Sequence, residues 1–327
     1  MSEITRIILK NMAPLHIGKG TDYYDFSSPD LQSDTLSSAL AVLRAESGKT
    51  EDIESFLQSF TISSAFPYSG GHYFLPKLQG RLNVQVKGED KYVYRKSLKE
   101  IRYIEESLWF QLAEGRKVEI EKKQIHRNFL LNEASDDFSQ PVKANVMQRV
   151  SVPRNDEDQA TPFFFEWNYL NKNAGLYCLL QADSEVKKDI ISLFRSLGEV
   201  GIGSDKSVGG GCFTVESETI EYNEIADADS TAILSLYIPT EVELSRISLP
   251  ESRYELLLRG GFIAGSTEEA YRHLLKKSVY MLNTGSVFPV KEHLLGKVVD
   301  LKPNWNDGAM HPVYRSGRPF CLFVKNR

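Results

Sequence analysis

The chain opens on an almost unbroken apolar run, Ile4-Thr5-Arg6-Ile7-Ile8-Leu9, which reads as a buried strand. A glycine-punctuated turn follows, His16-Ile17-Gly18-Lys19-Gly20. From Ser33 the period changes. Leu36, Ala39, Leu40 and Leu43 recur at steps of three and four, which puts one apolar stripe on a helix that Ser33 and Asp34 are placed to cap. Ile53, Phe56, Leu57 and Phe60 predict a second helix at the same spacing. Residues 63–68 and 73–77 are aromatic and punctuated by proline, which predicts strands at edges or ends. Residues 114–165 show no clear period and read as an insertion. Order returns with a strand over 175–180 and a helix carrying Val186, Ile190, Leu193, Phe194 and Leu197. That helix runs into a glycine-rich loop over 198–211, and a strand over 212–215 leaves it.

Residues 216–230 hold six carboxylates and no Lys or Arg, so they read as a solvated connector and a domain boundary. Strand-like segments follow at 232–237, 254–258, 279–282, 285–288 and 320–324. The element order suits an α+β protein with antiparallel strands and helices on one face. The simplest unit is the ferredoxin-like split β-α-β. The division is 1–220, with the insertion and the glycine loop, and 231–327. The two halves share no visible sequence repeat, so their kinship rests on topology alone.

Composition narrows the classes. With 327 residues, 41% hydrophobic and 25% charged, the chain is neither disordered nor fibrous. No apolar run approaches the roughly 20 residues of a membrane helix. Three cysteines at no metal-binding spacing, and a start without a leader-like apolar core, point to the reducing cytoplasm. Asp25, Asp30 and Asp34 match no metal-loop pattern, and neither a metal nor a cofactor is expected. The net charge of -5 argues against a protein that coats nucleic acid by bulk charge, so any such contact must be local.

The glycine loop is the candidate local site. Gly201, Gly203, Gly209, Gly210 and Gly211 fall within eleven residues. The loop leaves a helix and enters a strand, which excludes a G-x-G-x-x-G dinucleotide turn, and Lys206 follows Asp205, which excludes a Walker loop. Exposed backbone N–H groups in such a loop bind anions, and Ser204, Lys206 and Ser207 add donors. A permissive helix-to-strand turn is the alternative, but five glycines exceed what a turn needs.

A helix, a glycine-rich loop and a strand in this order resemble the glycine-rich loop of RAMP proteins, the RNA-binding subunits of CRISPR systems. His16-Ile17-Gly18 is similar to that family's His-Leu-Gly turn. Residues 33–40 resemble its His-Ser-Asp-Thr-Leu-Phe-Ser-Ala-Leu helix, from which Gln32 and Ser37 depart. Residues 63–68 and 73–77 resemble its SSAFPF and YFLPKP segments. Gly260-Gly261-Phe262 and residues 280–288 resemble its RGG and GSVF segments. The ordered set spans most of the chain. On it the chain is identified as a member of the Cas-five-like RAMP family that supplies the fourth subunit of type III-A CRISPR effectors, the Csm complexes.

The resemblance implies two ferredoxin-like (RRM-like) RAMP domains in tandem, the first with an inserted thumb-like hairpin. It implies a non-catalytic subunit in antiviral defence that caps and holds the 5′ repeat-derived handle of the CRISPR RNA. It further implies a bridge between the large polymerase-cyclase subunit and the backbone RAMP subunits, with the thumb near the target RNA. The RNA-facing positions expected are His16, Gly18 and Lys19, Gly201, Gly203, Ser204, Lys206, Ser207, Gly209, Gly210 and Gly211, then Gly260 and Gly261. Arg127, Arg149 and Arg154 in the insertion are candidates too, although a solvated charged loop fits them equally. The segment 301–327 carries five basic residues against one acidic, so residues 314–318 form either an RNA-facing loop with Arg315 or a plain basic turn. Tyr23, Tyr24 and the Phe163–165 run suit base stacking or packing. Three rival readings stand beside this one. They are a metal-independent RAMP ribonuclease with His16, His72 or His126 as base, the equivalent type III-B cap, and a protein-interaction subunit without RNA contact.

Overall fold

The structure is a computed structural model. It describes residues 3–18, 24–88, 93–153, 159–263, 269–271, 274–304 and 310–325. The organising element is a nine-stranded sheet. Along one edge its order is Thr214–Ile220, Ile4–Lys10, Ala174–Ala182 and Phe66–Ser69, every neighbour antiparallel. Two helices, Ser33–Glu46 and Ser184–Val200, sit in the crossovers of that four-stranded portion. This is the strand order of a split β-α-β arrangement. Phe60–Ile62 pairs beside it, and His72–Pro76, Tyr103–Glu105, Phe129–Leu130 and Ile125–His126 extend the sheet.

The unbroken apolar run at the start is explained by burial on both faces. Ile7 and Leu9 join Leu36, Leu40, Ile190, Phe194 and Leu197 beneath the two helices. Ile4 and Ile8 point the other way, into a second cluster with Tyr177, Trp109, Leu234 and Phe320. That second cluster draws residues from both halves of the chain, so the halves share a core.

The insertion resolves into two parts. A lobe that begins well before the expected start at 114 holds the parallel pair Val84–Val86 and Val118–Ile120 and the helices Arg95–Glu100 and Glu106–Ala113. A long two-stranded hairpin, Val142–Ser151 with Thr161–Leu170, then projects from the body in ten paired positions. The insertion therefore extends past the expected limit of 165. Its alternation is masked because nearly all of Val142–Ser151 lies in solvent and only Phe165, Trp167 and Asn168 of the partner strand are buried.

Two expectations are corrected. Ser33 and Asp34 do not cap their helix. Gln32 occupies the cap position, Ser33 accepts a hydrogen bond from the Leu236 N–H at 2.9 Å, and Asp34 is buried in an ion pair. The acidic segment 216–230 is not wholly a connector. Thr214–Ile220 is an edge strand on Ile4–Lys10, and Glu216 and Glu218 neutralise Lys10 at 2.8 Å and Arg6 at 2.7 Å. The carboxylates signalled cross-strand pairing as much as solvation.

The C-terminal half is built from a three-stranded sheet, Val287–Phe288, Ser230–Ile233 and Cys321–Val324, and two further pairs, Leu256–Arg259 with Val279–Leu282 and Val298–Asp300 with Tyr314–Ser316. Among the described residues it carries one α-helix, Glu241–Arg246, started by a reciprocal Thr240–Glu243 capping box. A second two-helix unit is thus not seen there. No helix among the described residues is long and apolar enough to cross a membrane.

Candidate nucleic-acid interface

Three sets of contacts, from two segments distant in sequence, build the surroundings of the glycine loop. The first is the turn after the opening strand. The Gly211 N–H donates to the Pro14 carbonyl at 2.9 Å and the Ser204 N–H to the His16 carbonyl at 2.9 Å. The second is the base of the long hairpin, where Leu15 and Asn168 exchange backbone hydrogen bonds at 2.9 Å. His16 is buried, and its Nδ1–H donates to the Glu166 carbonyl at 2.7 Å while its ring packs 4.4 Å from Phe165. The third contact is ionic. Arg149 pairs with Asp205 at 2.5 Å and lays its guanidinium 4.2 Å from the Phe165 ring, with Trp167 beyond. The hairpin therefore clasps the loop against the turn.

The clasp explains the glycines. A Cβ on Gly211 would sit 1.9 Å from the Ile202 carbonyl oxygen, and one on Gly203 2.4 Å from that of His16. A Cβ on Gly210 would meet Trp167 at 2.7 Å. A Cβ on Gly201 would likewise lie 2.5 Å from the Gly210 carbonyl oxygen, so close packing, rather than ligand access alone, requires four of the five. This also corrects the expected N–H cradle. The amides of Gly201, Gly209, Gly210 and Gly211 all donate inside the fold. Those of Gly203, Asp205, Lys206 and Ser207 hold no partner among the described residues, and Lys206 and Ser207 lie exposed on a single 3-10 turn. The donors left without an internal partner among the described residues are thus four amides, one ammonium and two hydroxyls.

A second cluster forms where the halves meet. Arg259 grips Asp34 with both ends of its guanidinium, Nε to Oδ2 at 2.9 Å and Nη2 to Oδ1 at 3.0 Å. Arg315 pairs with the same carboxylate from the strand Tyr314–Ser316 and reaches the Gly260 carbonyl at 3.5 Å. Burial alone would push the Asp34 carboxyl up, but the two guanidinium groups outweigh it and hold it below the usual carboxylate range. Lys276 is the third cation. Burial, reinforced by Arg315, pushes its ammonium down to about 8. Three cations against one carboxylate leave this junction positive.

Other expected positions lie elsewhere. Gly18 is exposed beside the turn, while Lys19 and Arg154 fall outside the described residues. Arg127 is exposed with φ 53° in the tight turn of the last strand pair, at the edge of the sheet remote from the glycine loop. Arg315 is corrected. It is buried in an ion pair, not displayed on a loop, because a buried Asp34 needs a countercharge. Gly261 holds φ 101° beside Gly260, next to this junction. Tyr24 is exposed and Phe165 buried, so the aromatic run divides between surface and packing. His72 and His126 flank Phe138 in the extended part of the sheet, and His72 Nδ1–H donates to Glu105 at 2.8 Å. His16 shares none of these contacts.

Sequence reasoning missed Arg259, Lys276 and Trp167. Arg259 had a signal. In the strand Leu256–Arg259 the alternation places it on the same face as Leu257, which packs inward beside Met281.

Known proteins resemble this chain over most of its length. A family model described as the CRISPR Csm4 C-terminal domain matches residues 226–324. A curated relative from Thermococcus onnurineus (strain NA1), the "CRISPR system Cms protein Csm4", is 25% identical over 315 residues, 93% of each chain. A chain in the crystal structure of a Csm3-Csm4 subcomplex of the type III-A interference complex aligns with a TM-score of 0.64 at 18% identity, over 98% of this chain and 100% of that one. A chain in a Csm1-Csm4 cassette bound to cA4 gives 0.62 at 19% identity, over 99% and 98%. A chain of a type III-B Cmr-beta assembly gives 0.52 at 13%, over 86% and 85%. At these identities the solved structures establish a shared fold.

Proposed function

We propose that this chain, which matches the Csm4 C-terminal family model over residues 226–324 and a curated Csm4 at 25% identity, is a non-catalytic, RNA-binding subunit of a type III-A CRISPR effector that holds the 5′ handle of the CRISPR RNA. The observation that carries this reading is the convergence of the His16 turn, the glycine loop and the Arg149 hairpin at one place. There the amides of Gly203, Asp205, Lys206 and Ser207 hold no partner among the described residues, and Lys206 and Ser207 lie exposed. Backbone N–H groups bind phosphates without adding net charge, so a protein of net charge -5 can hold RNA locally. In the same reading the long hairpin is the thumb beside the first guide–target pairs, and both halves derive from RAMP domains.

The protein bridges the large polymerase-cyclase subunit and the first backbone RAMP subunit, and it works in the cytoplasm. Relatives of this fold occur in Csm1-Csm4 and Csm3-Csm4 assemblies, which supports the bridge. The non-catalytic part of the reading is supported by His16, whose ring is buried and whose Nδ1–H is committed to a backbone carbonyl. A general base must reach its substrate proton.

The test is reconstitution of the complex with CRISPR RNA. The double variant Lys206→Glu/Ser207→Asp should assemble with its protein partners and leave the handle open to nuclease digestion. Full protection of the handle in that variant would refute the assignment.

A further inference from the structure

A cavity of about 520 Å³ lies between the inserted lobe and the C-terminal half, away from the glycine loop. It opens on the face of the central sheet opposite the two long helices, since its floor residues Val84, Val86, Ile104 and Trp109 belong to the cluster on that face. Four leucines, Leu78, Leu82, Leu98 and Leu112, add to its aliphatic lining. Its rim is cationic. Arg81 and Lys117 are exposed there and hold no ion pair among the described residues, and Arg253 and Lys325 stand at the C-terminal side. Among the described residues no carboxylate lines it. Gln79 and Gln85 add two carboxamides that form no side-chain hydrogen bond among the described residues.

We infer that this cavity is a nucleotide site. Its volume falls in the range of small-ligand pockets, roughly 300–1,000 Å³. The leucine lining suits the apolar face of a planar base. The carboxamides suit a base edge, because each offers both donors and an acceptor. The rim guanidinium and ammonium groups suit a phosphate at a distance from the apolar floor. An apolar ligand would leave Arg81 and Lys117 unused, and an inorganic anion would leave the leucines unused. A nucleotide uses both, with its charge concentrated in one group. A peptide would need several acidic side chains to match the rim, which makes a nucleotide the simpler fit. Free nucleotide and a nucleotide of an RNA strand share this chemistry. The inference does not depend on the handle reading, because the cavity and the glycine loop have no residue in common.

Isothermal titration of the full chain with AMP and, separately, with a 5′-phosphorylated RNA trinucleotide tests it. Binding should be seen for at least one of them, and the double variant Arg81→Glu/Lys117→Glu should weaken it roughly tenfold or more. Both residues are exposed, so folding should survive, and a matched thermal melt checks that. Lys96→Glu, on the surface of the helix Arg95–Glu100, should leave binding unchanged. Equal binding of AMP and trinucleotide identifies a free nucleotide as occupant, and binding of the trinucleotide alone identifies a strand. Absence of binding by the wild type at millimolar ligand, or binding indifferent to the double reversal, overturns the inference. Failure to bind either ligand, combined with weaker assembly of the double variant with its protein partners, overturns it in favour of a protein-docking face.

Discussion

Asp34, in the first turn of the helix Ser33–Glu46, and Arg315, on the strand Tyr314–Ser316, form a buried ion pair that joins residues 281 apart in sequence. Arg259 completes the grip from a third segment. One carboxylate thereby fixes two strand pairs of the C-terminal half against the helix layer of the N-terminal half. Removing one partner of a buried pair costs about 3–5 kcal/mol, because the remaining charges stay desolvated. Asp34→Asn should lower the unfolding free energy by that order, read by denaturant unfolding. A loss under about 1 kcal/mol would mean the junction is held by packing alone.

The same cluster gives a pH dependence with a definite sign. The Lys276 ammonium is depressed to about 8, so between that value and about 10.5 the unfolded chain binds the proton more readily than the folded chain. The lysine therefore costs stability below about 8, and the cost disappears as pH rises toward its unfolded value. Lys276→Met should stabilise the isolated protein at pH 7 by about 1–3 kcal/mol, with little gain at pH 10. Asp34 has the opposite sense. Its contribution is full above the unfolded carboxylate value and is lost as pH falls through its lower folded value. Thermal melts of both variants across pH check the two signs.

The glycines of the loop should not respond alike. Gly211 and Gly209 both hold positive φ, 68° and 82°, but only Gly211 faces a carbonyl oxygen where its Cβ would go. Gly209→Ala should cost about 1 kcal/mol, the backbone penalty alone. Gly211→Ala should cost well beyond that, since Ile202 must move. Parallel thermal melts decide this, and equal losses would contradict the packing account.

Arg149 should order the glycine loop. Arg149→Ala removes the Asp205 pair and the guanidinium packed on Phe165, together worth about 1–2 kcal/mol at a half-exposed site. Hydrogen exchange should quicken at Gly209 and Gly210 while the strand Ala174–Ala182 keeps its protection. Uniform change across both segments would indicate global destabilisation instead.

The local elements were legible where burial imposed a period. The opening strand, the helix Ser184–Val200 and the strand Ala174–Ala182 were readable because one or both faces are packed. The long hairpin was not, because solvent surrounds most of Val142–Ser151 and its alternation carries no apolar signal. The glycine loop was visible as a site, but its internal hydrogen bonds were not, because they run to Pro14 and His16 through tertiary contact. Arg315 was misread for the same reason. A basic residue in a basic segment looks exposed until its buried countercharge, Asp34, is located.

In the proposed role, the turn Lys206–Val208 holds the RNA handle through the unpartnered amides of Lys206 and Ser207. The most direct measurement is nuclease protection of the CRISPR RNA 5′ handle in complexes reconstituted with wild type and with Lys206→Glu/Ser207→Asp. Normal protein assembly is expected in both, with the handle digested only in the variant. Equal protection in both complexes would contradict it.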